Sequence, residues 1–147
     1  TGVNMRFAEF KILLEAEEAR KVYSIGDSHA EGLAYAKGVI NRANGGVPST
    51  HKNNFGGQHT IKGSPVGLDT IPPNQIVLVA QGANDTANSA RAHIDSKGKT
   101  PLKSPQKIAN DVSAVVNAAK ANGHIVVFVL FPNGEVRAPG LAQYYST

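Results

Sequence analysis

Apolar residues in this chain fall into short runs that alternate with segments of helical spacing. The runs at 75–80 and 125–131 are almost wholly apolar, which is typical of strands buried on both faces. Helical spacing covers 29–38 and the segment that begins at Ser104-Pro105, where Ser is a favoured N-cap and Pro a favoured first residue. Strands are predicted at 21–25, 39–43, 75–80 and 125–131. The alternation predicts an α/β fold, a three-layer α/β/α sandwich with a parallel sheet.

Polar segments and an amphipathic segment surround these elements. Residues 44–73 are rich in Gly, Pro, Asn, Ser and Thr and predict a long loop, and residues 86–104 predict a second polar loop. Residues 6–20 have helical spacing, with Phe7, Phe10, Leu13 and Leu14 on one side. We therefore expect an N-terminal amphipathic helix within residues 1–20, which packs on the domain or docks a partner, and one domain over 21–147.

Composition narrows the class of protein. The 147 residues are 41% hydrophobic, which suits one globular domain with its own core. Cysteine is absent, which excludes disulfides and thiolate metal sites. No apolar run approaches the ~18 residues of a membrane span, and no group of His, Asp and Glu has metal-ligand spacing. Phosphate-loop and dinucleotide glycine patterns are also missing, so we expect no cofactor. The net charge of +4 comes largely from a lysine-rich loop, and nucleic acid is not an expected partner.

A sharp turn is predicted after the first strand, at Gly26-Asp27-Ser28-His29. A glycine lets the chain turn, and a serine that opens the next helix exposes its hydroxyl near free backbone N–H groups. A serine nucleophile with an oxyanion to stabilise needs this arrangement. Asp and Ser are also ordinary helix caps, so the tripeptide alone leaves both roles open. For Asp27 the sequence favours a role in holding the turn.

A second polar turn, Gly82-Ala83-Asn84-Asp85, follows the most apolar strand. The side-chain amide of Asn84 can donate an N–H to a developing oxyanion, and Gly82 permits a close approach of backbone and substrate. Asp85 is expected to fix the loop after Asn84. Ligands of parallel sheets bind at the carboxyl ends of the strands, so the two turns together indicate one site at that edge.

Together the two turns resemble those of the SGNH (GDSL-like) hydrolase family, in which a Gly-Asp-Ser block carries the nucleophile. The resemblance assigns the nucleophile to Ser28. The family's oxyanion donors come from a later glycine and from a Gly-x-Asn-Asp block. These roles pass to Gly46, within the glycine block 44–50, and to Asn84, with Gly45 as the alternative to Gly46.

The resemblance covers residue 21 to about 132 and implies a serine esterase that acts on acyl esters, such as O-acetyl groups on a glycan. The sequence departs from the family pattern in one respect. The late Asp-x-x-His block, which supplies the base and its orienting Asp in the family, is absent. The fold is therefore expected to lack its last strand and helix, which would lie on a longer chain. No Asp stands three positions before any of the five histidines, which are His29, His51, His59, His93 and His124.

Two other interpretations stay open. The chain can be an SGNH-derived binding or structural module without its base, since its sequence resembles SGNH-like proteins of tailed phages, where such domains are virion components. It can also be a piece of a longer protein. An open sheet edge, or the helix over 6–20, then predicts a protein partner or self-association besides a small-molecule or glycan ester substrate.

Overall fold

The computed structural model describes residues 20–56, 60–61 and 63–129 of the chain. In chain order its strands are β1 (Val22–Gly26), β2 (Val39–Asn41), β3 (Thr60–Ile61), β4 (Ser64–Pro65), β5 (Ile76–Ala80) and β6 (Ile125–Phe128). The helices are α1 (Ser28–Leu33), α2 (Ala83–Asp95) and α3 (Pro105–Ala121). Single turns of 3-10 helix lie at Lys52–Asn54 and Leu68–Thr70.

Four of the strands form a parallel sheet in the order β2-β1-β5-β6, and β3 pairs antiparallel with β4 in a separate hairpin. This confirms the predicted α/β fold with a parallel sheet. The chain leaves β1 for β2 on one side and then crosses to β5 on the other side of β1. The direction of winding therefore reverses between β1 and β5, and such a switch point is where open α/β sheets bind ligands.

Hydrophobic packing fixes the register of the central strands, because alternate residues of a strand face opposite sides of the sheet. Tyr23 and Ile25 of β1 pair in register with Val77 and Val79 of β5, and all four are buried. Their face packs against α3 through Val115 and Ala119. A smaller cluster joins α1 to the sheet and consists of Ala30, Ala43 and Ala80.

Helix α3 matches its prediction closely. Ser104 is the N-cap, its Oγ accepts the N–H of Lys107 at 3.1 Å, and Pro105 is the first helical residue. The predicted helix over 29–38 is shorter in the structure and ends at Leu33. The strand predicted at 39–43 is shorter too, but the chain continues beside β1 as far as Asn44, whose N–H donates to Gly26 O at 2.9 Å.

The predicted loop over 86–104 is wrong in its first half, because α2 extends through Asp95. This helix buries only Asp85 and Ala90. Its other alanines favour helix formation but add no stripe of large apolar side chains. A search for apolar periodicity therefore misses it. The structure also places two 3-10 turns and the β3–β4 hairpin within the long segment 44–73.

Several predictions fall outside the described residues. These are the N-terminal helix, apart from Arg20, which is not helical, and the last two residues of the strand predicted at 125–131. Strand β6 lies at the edge of the described sheet, and Ile125 and Val127 on it are 48% and 46% exposed. Self-association through this edge stays a prediction. Among the helices described, none is both long enough and apolar enough to cross a membrane.

Candidate functional site

The turn after β1 brings Ser28 to the carboxyl edge of the sheet. Gly26 has φ +129°, and a Cβ at this position would overlap the carbonyl oxygen of Ala80 on β5. Only glycine fits so close to the neighbouring strand. The N–H of Asp27 then donates to Ala80 O at 3.1 Å, which closes the turn. Ser28 follows as the first residue of α1 and is exposed, so its hydroxyl is accessible to a substrate.

Asp27, and not Ser28, is the N-cap of α1. Its Oδ1 accepts the N–H of His29 at 2.9 Å, which confirms the predicted role of Asp27 in holding the turn. The carboxyl group is fully buried, Oδ2 has no hydrogen-bond partner within the described segments, and burial raises the pKa of Asp27. Because Asp27 caps the helix, the hydroxyl of Ser28 is not needed for capping.

The glycine block lies on the β2 side of Ser28. The N–H of Asn44 donates to Gly26 O, and the N–H of Gly45 donates to Glu31 Oε1 on α1 at 2.6 Å. Gly46 comes next in an exposed turn with φ +79°. Its N–H has no hydrogen-bond partner in the described part of the chain. The N–H of Gly45 is thus engaged, whereas that of Gly46 is available.

The third block lies on the other side of Ser28, after β5. Gly82, with φ +117°, precedes α2, and Asn84 lies half-buried in the first turn of that helix. The sequence predicts that Asp85 fixes the loop after Asn84, and this prediction is wrong. The buried carboxylate of Asp85 instead accepts hydrogen bonds from the N–H and the hydroxyl of Ser49, at 3.0 and 2.5 Å. The third block therefore holds the chain that follows the glycine block.

A second set of buried hydrogen bonds fixes the same loop, and no pattern in the sequence marks the residues that form it. Gln81 Nε2 donates to Val47 O at 2.9 Å, and Gln81 Oε1 accepts from Asn54 Nδ2 at 3.3 Å. Asn54 Nδ2 also donates to Ser49 O at 3.0 Å. Because these side chains are buried, their hydrogen bonds are shielded from water and fix the loop over 47–54 against the carboxyl end of β5.

A pocket of about 560 Å³ opens beside Ser28. Its walls are formed by Ser28 and Glu31 of α1, by Asn41, Ala43, Asn44 and Gly45, and by Ser64 of β4. Gly45 thus contributes to the wall, whereas Gly46 and Asn84 do not. Among the described residues that line it, most side chains are polar, and Glu31 is the one with an ionisable group.

Each described histidine has a polar contact with a group other than the hydroxyl of Ser28. His51 Nδ1 accepts the N–H of Asn53, His124 Nδ1 accepts the N–H of Gln75, and His93 Nδ1 lies 2.8 Å from Thr100 O. His29 Nδ1 lies 3.4 Å from Asp27 Oδ1. His59 is outside the described residues. Within the described ranges, no hydrogen bond joins a histidine to Ser28 Oγ.

The three predicted site residues therefore follow the carboxyl ends of β2, β1 and β5, with Ser28 in the turn after β1, the central strand of the three. In the segments that the structure describes, no group of three or more His, Asp or Glu side chains could hold a metal ion. No protein-family model, no curated protein and no solved structure matches the chain.

Proposed function

We propose that this chain is the nucleophile-bearing part of a serine ester hydrolase of the SGNH type. One observation carries the proposal. An exposed serine opens a helix at the switch point of a parallel sheet, between two neighbouring turns that carry Gly46 and Asn84. A purely structural turn needs neither the exposed hydroxyl nor the pocket beside it.

In the proposed reaction, Ser28 Oγ attacks the carbonyl carbon of an acyl ester and gives its proton to a base. The N–H groups of Ser28 and Gly46 and the side-chain amide of Asn84 donate hydrogen bonds to the oxyanion. The carbonyl re-forms, the C–O bond to the alcohol breaks, and the alcohol leaves with a proton. Water then attacks the acyl-serine, releases the carboxylic acid and restores the Ser28 hydroxyl.

The pocket suits the alcohol half of the ester better than a long acyl chain. Asn41, Asn44, Ser64 and Glu31 offer amide, hydroxyl and carboxylate groups, and Ala43 is the one apolar side chain among the described residues of the wall. An acyl chain gains its affinity by leaving water for apolar surface, which this wall does not provide. A hydroxyl-rich alcohol such as a sugar finds hydrogen-bond partners there, so we propose an O-acylated glycan as substrate.

The test is hydrolysis of p-nitrophenyl acetate by the wild-type chain, by Ser28→Ala and by Ser113→Ala. Ser113 is an exposed serine on α3, away from the site, and serves as the matched control. We expect Ser28→Ala to abolish hydrolysis and Ser113→Ala to leave it unchanged. A fluorophosphonate should label Ser28 in the wild-type chain, as read by mass spectrometry. Full activity in Ser28→Ala, or labelling elsewhere, contradicts the proposal.

A second candidate function is a binding module that recognises the same esters without hydrolysing them. It is favoured by one observation, that no histidine is hydrogen-bonded to Ser28 Oγ within the described ranges. Without a base the serine hydroxyl keeps its proton, and attack slows by orders of magnitude. Calorimetric binding of an O-acetylated oligosaccharide, with no acetate released over hours, supports the module. Acetate release that depends on Ser28 supports the enzyme.

A further inference from the structure

The carboxylate side chain of Glu31 lines the pocket and lies on the same helix as Ser28. Glu31 is three residues after Ser28 on α1, a spacing that places two side chains on one face of a helix. Both residues line the pocket. Glu31 Oε1 accepts the N–H of Gly45 at 2.6 Å, a short hydrogen bond that joins α1 to the glycine block.

A side chain at position 45 would have to displace the carboxyl group of Glu31. A Cβ at Gly45 would lie 2.7 Å from each carboxylate oxygen of Glu31, so this glycine serves a close approach and not a left-handed turn. Gly46 differs, because its φ of +79° needs glycine while the space around it is open. The two adjacent glycines therefore have separate roles in the block.

Gly46 is held from both sides. On one side Glu31 fixes the N–H of Gly45, and on the other side Gln81 Nε2 fixes the carbonyl of Val47 at 2.9 Å. The N–H of Gly46 itself has no partner within the described segments. A backbone donor held in place with no partner of its own costs little to reorganise when charge develops on a substrate.

We propose that Glu31 is a positioning residue, which holds the 45–46 turn so that the N–H of Gly46 is fixed as an oxyanion donor for Ser28. This role rests on the proposed function. It requires the acceptor oxygen of Glu31 and not its charge. A negative charge close to a developing oxyanion opposes its formation, so the charge itself brings no catalytic gain.

Glu31→Gln and Glu31→Ala separate these roles, because Gln keeps an acceptor oxygen for the N–H of Gly45 and Ala does not. We expect Glu31→Gln to keep kcat within about twofold of wild type or to raise it. Glu31→Ala should lower kcat by roughly 10- to 100-fold, the effect of a misplaced reacting geometry, with a small change in KM. Asp95→Asn and Asp95→Ala alter an exposed carboxylate at the end of α2 and are the matched controls.

An independent readout is amide hydrogen exchange at Gly45, followed by NMR. Exchange should accelerate in Glu31→Ala and stay slow in Glu31→Gln. Equal loss of kcat in both variants overturns the proposal, because it shows that the charge is required. Unchanged kcat in Glu31→Ala overturns it as well, yet leaves the proposed function standing if Ser28→Ala is inactive. A wild-type chain with no hydrolysis that depends on Ser28 overturns both.

Discussion

The hydroxyl of Ser49 donates a hydrogen bond of 2.5 Å to the buried carboxylate of Asp85, which lies 36 positions later in the chain. The N–H of Ser49 donates to the same carboxylate. This contact ties the segment after the glycine block to the first turn of α2. It links the two parts of the chain that carry the predicted oxyanion donors Gly46 and Asn84.

Loss of this contact should destabilise the protein. Ser49→Ala removes one of the hydrogen bonds to a fully buried carboxylate, and we expect a loss of about 1–3 kcal/mol in the free energy of unfolding. Urea unfolding followed by circular dichroism measures this loss. Ser113→Ala on the exposed face of α3 is the control and should stay within about 0.5 kcal/mol of wild type. A Ser49→Ala midpoint equal to that of the control contradicts the prediction.

Gly26 and Gly38 allow steric overlap to be separated from backbone strain. Both have a positive φ, +129° and +88°, but a Cβ at Gly26 meets the carbonyl of Ala80 whereas a Cβ at Gly38 meets nothing within 4 Å. Gly38→Ala should therefore cost about 1–3 kcal/mol, the strain of the backbone alone. Gly26→Ala must also displace β5 or break the turn, and should cost clearly more. Thermal unfolding of the two variants side by side provides the comparison, and equal losses would disprove it.

Free imidazole should accelerate the hydrolysis that depends on Ser28. The described histidines have no hydrogen bond to Ser28 Oγ, so a base from solution can take the proton of the exposed hydroxyl. The measurement is the rate of p-nitrophenyl acetate hydrolysis against imidazole concentration, for wild type and for Ser28→Ala. The expected result is a steeper slope for wild type. Parallel slopes would mean that imidazole attacks the ester without Ser28.

Stability should fall as the pH drops below 6.5, because of His124. Burial lowers the pKa of His124 from its ordinary value of about 6.5. The unfolded chain then binds a proton at a higher pH than the folded chain, so protonation favours unfolding between 6.5 and the lower folded pKa. Below the folded pKa this loss levels off.

Substitution of His124→Asn tests this pH dependence. Asn keeps an oxygen that can accept the N–H of Gln75 but does not titrate. Urea midpoints of wild type and of His124→Asn between pH 7.5 and 5.5 should converge as the pH falls, because only wild type loses stability through this group. A constant difference between the two proteins across that range would assign the pH dependence to other groups.

The sequence predicted the sheet well because its strands are strong signals. Ile76–Ala80 and Ile125–Phe128 are wholly apolar runs, and Gly26-Asp27-Ser28 has residue types that are common where a strand turns into a helix. The sequence pattern does not predict helix α2, because its alanines favour a helix but form no stripe of large apolar side chains on one face. Local sequence patterns depend only on residues within a few positions of each other. They therefore predict strands, helices and caps, which depend on such neighbours.

The contacts that hold the site were not predictable in the same way. Asp85 was assigned to its own loop, because nothing in the chain marks Ser49 as its partner 36 positions away. Glu31 was not singled out, because its role appears only when Gly45 is brought against α1. Gln81 looks like the end of a strand and gains its importance from Val47. These pairs form only when the chain folds and the glycine block packs between α1 and the turn after β5. They therefore cannot be predicted from local sequence.

Two walls of the pocket beside Ser28 differ in how they are connected to the parallel sheet. Asn44 and Gly45 are tied to β1 and α1, whereas Ser64 lies exposed on a hairpin whose strands are two residues long. A hairpin of this size can lengthen, shorten or change its tip without disturbing the parallel sheet. A substitution at Ser64 is therefore expected to change this wall of the pocket while Asn44 and Gly45 keep their contacts with β1 and α1.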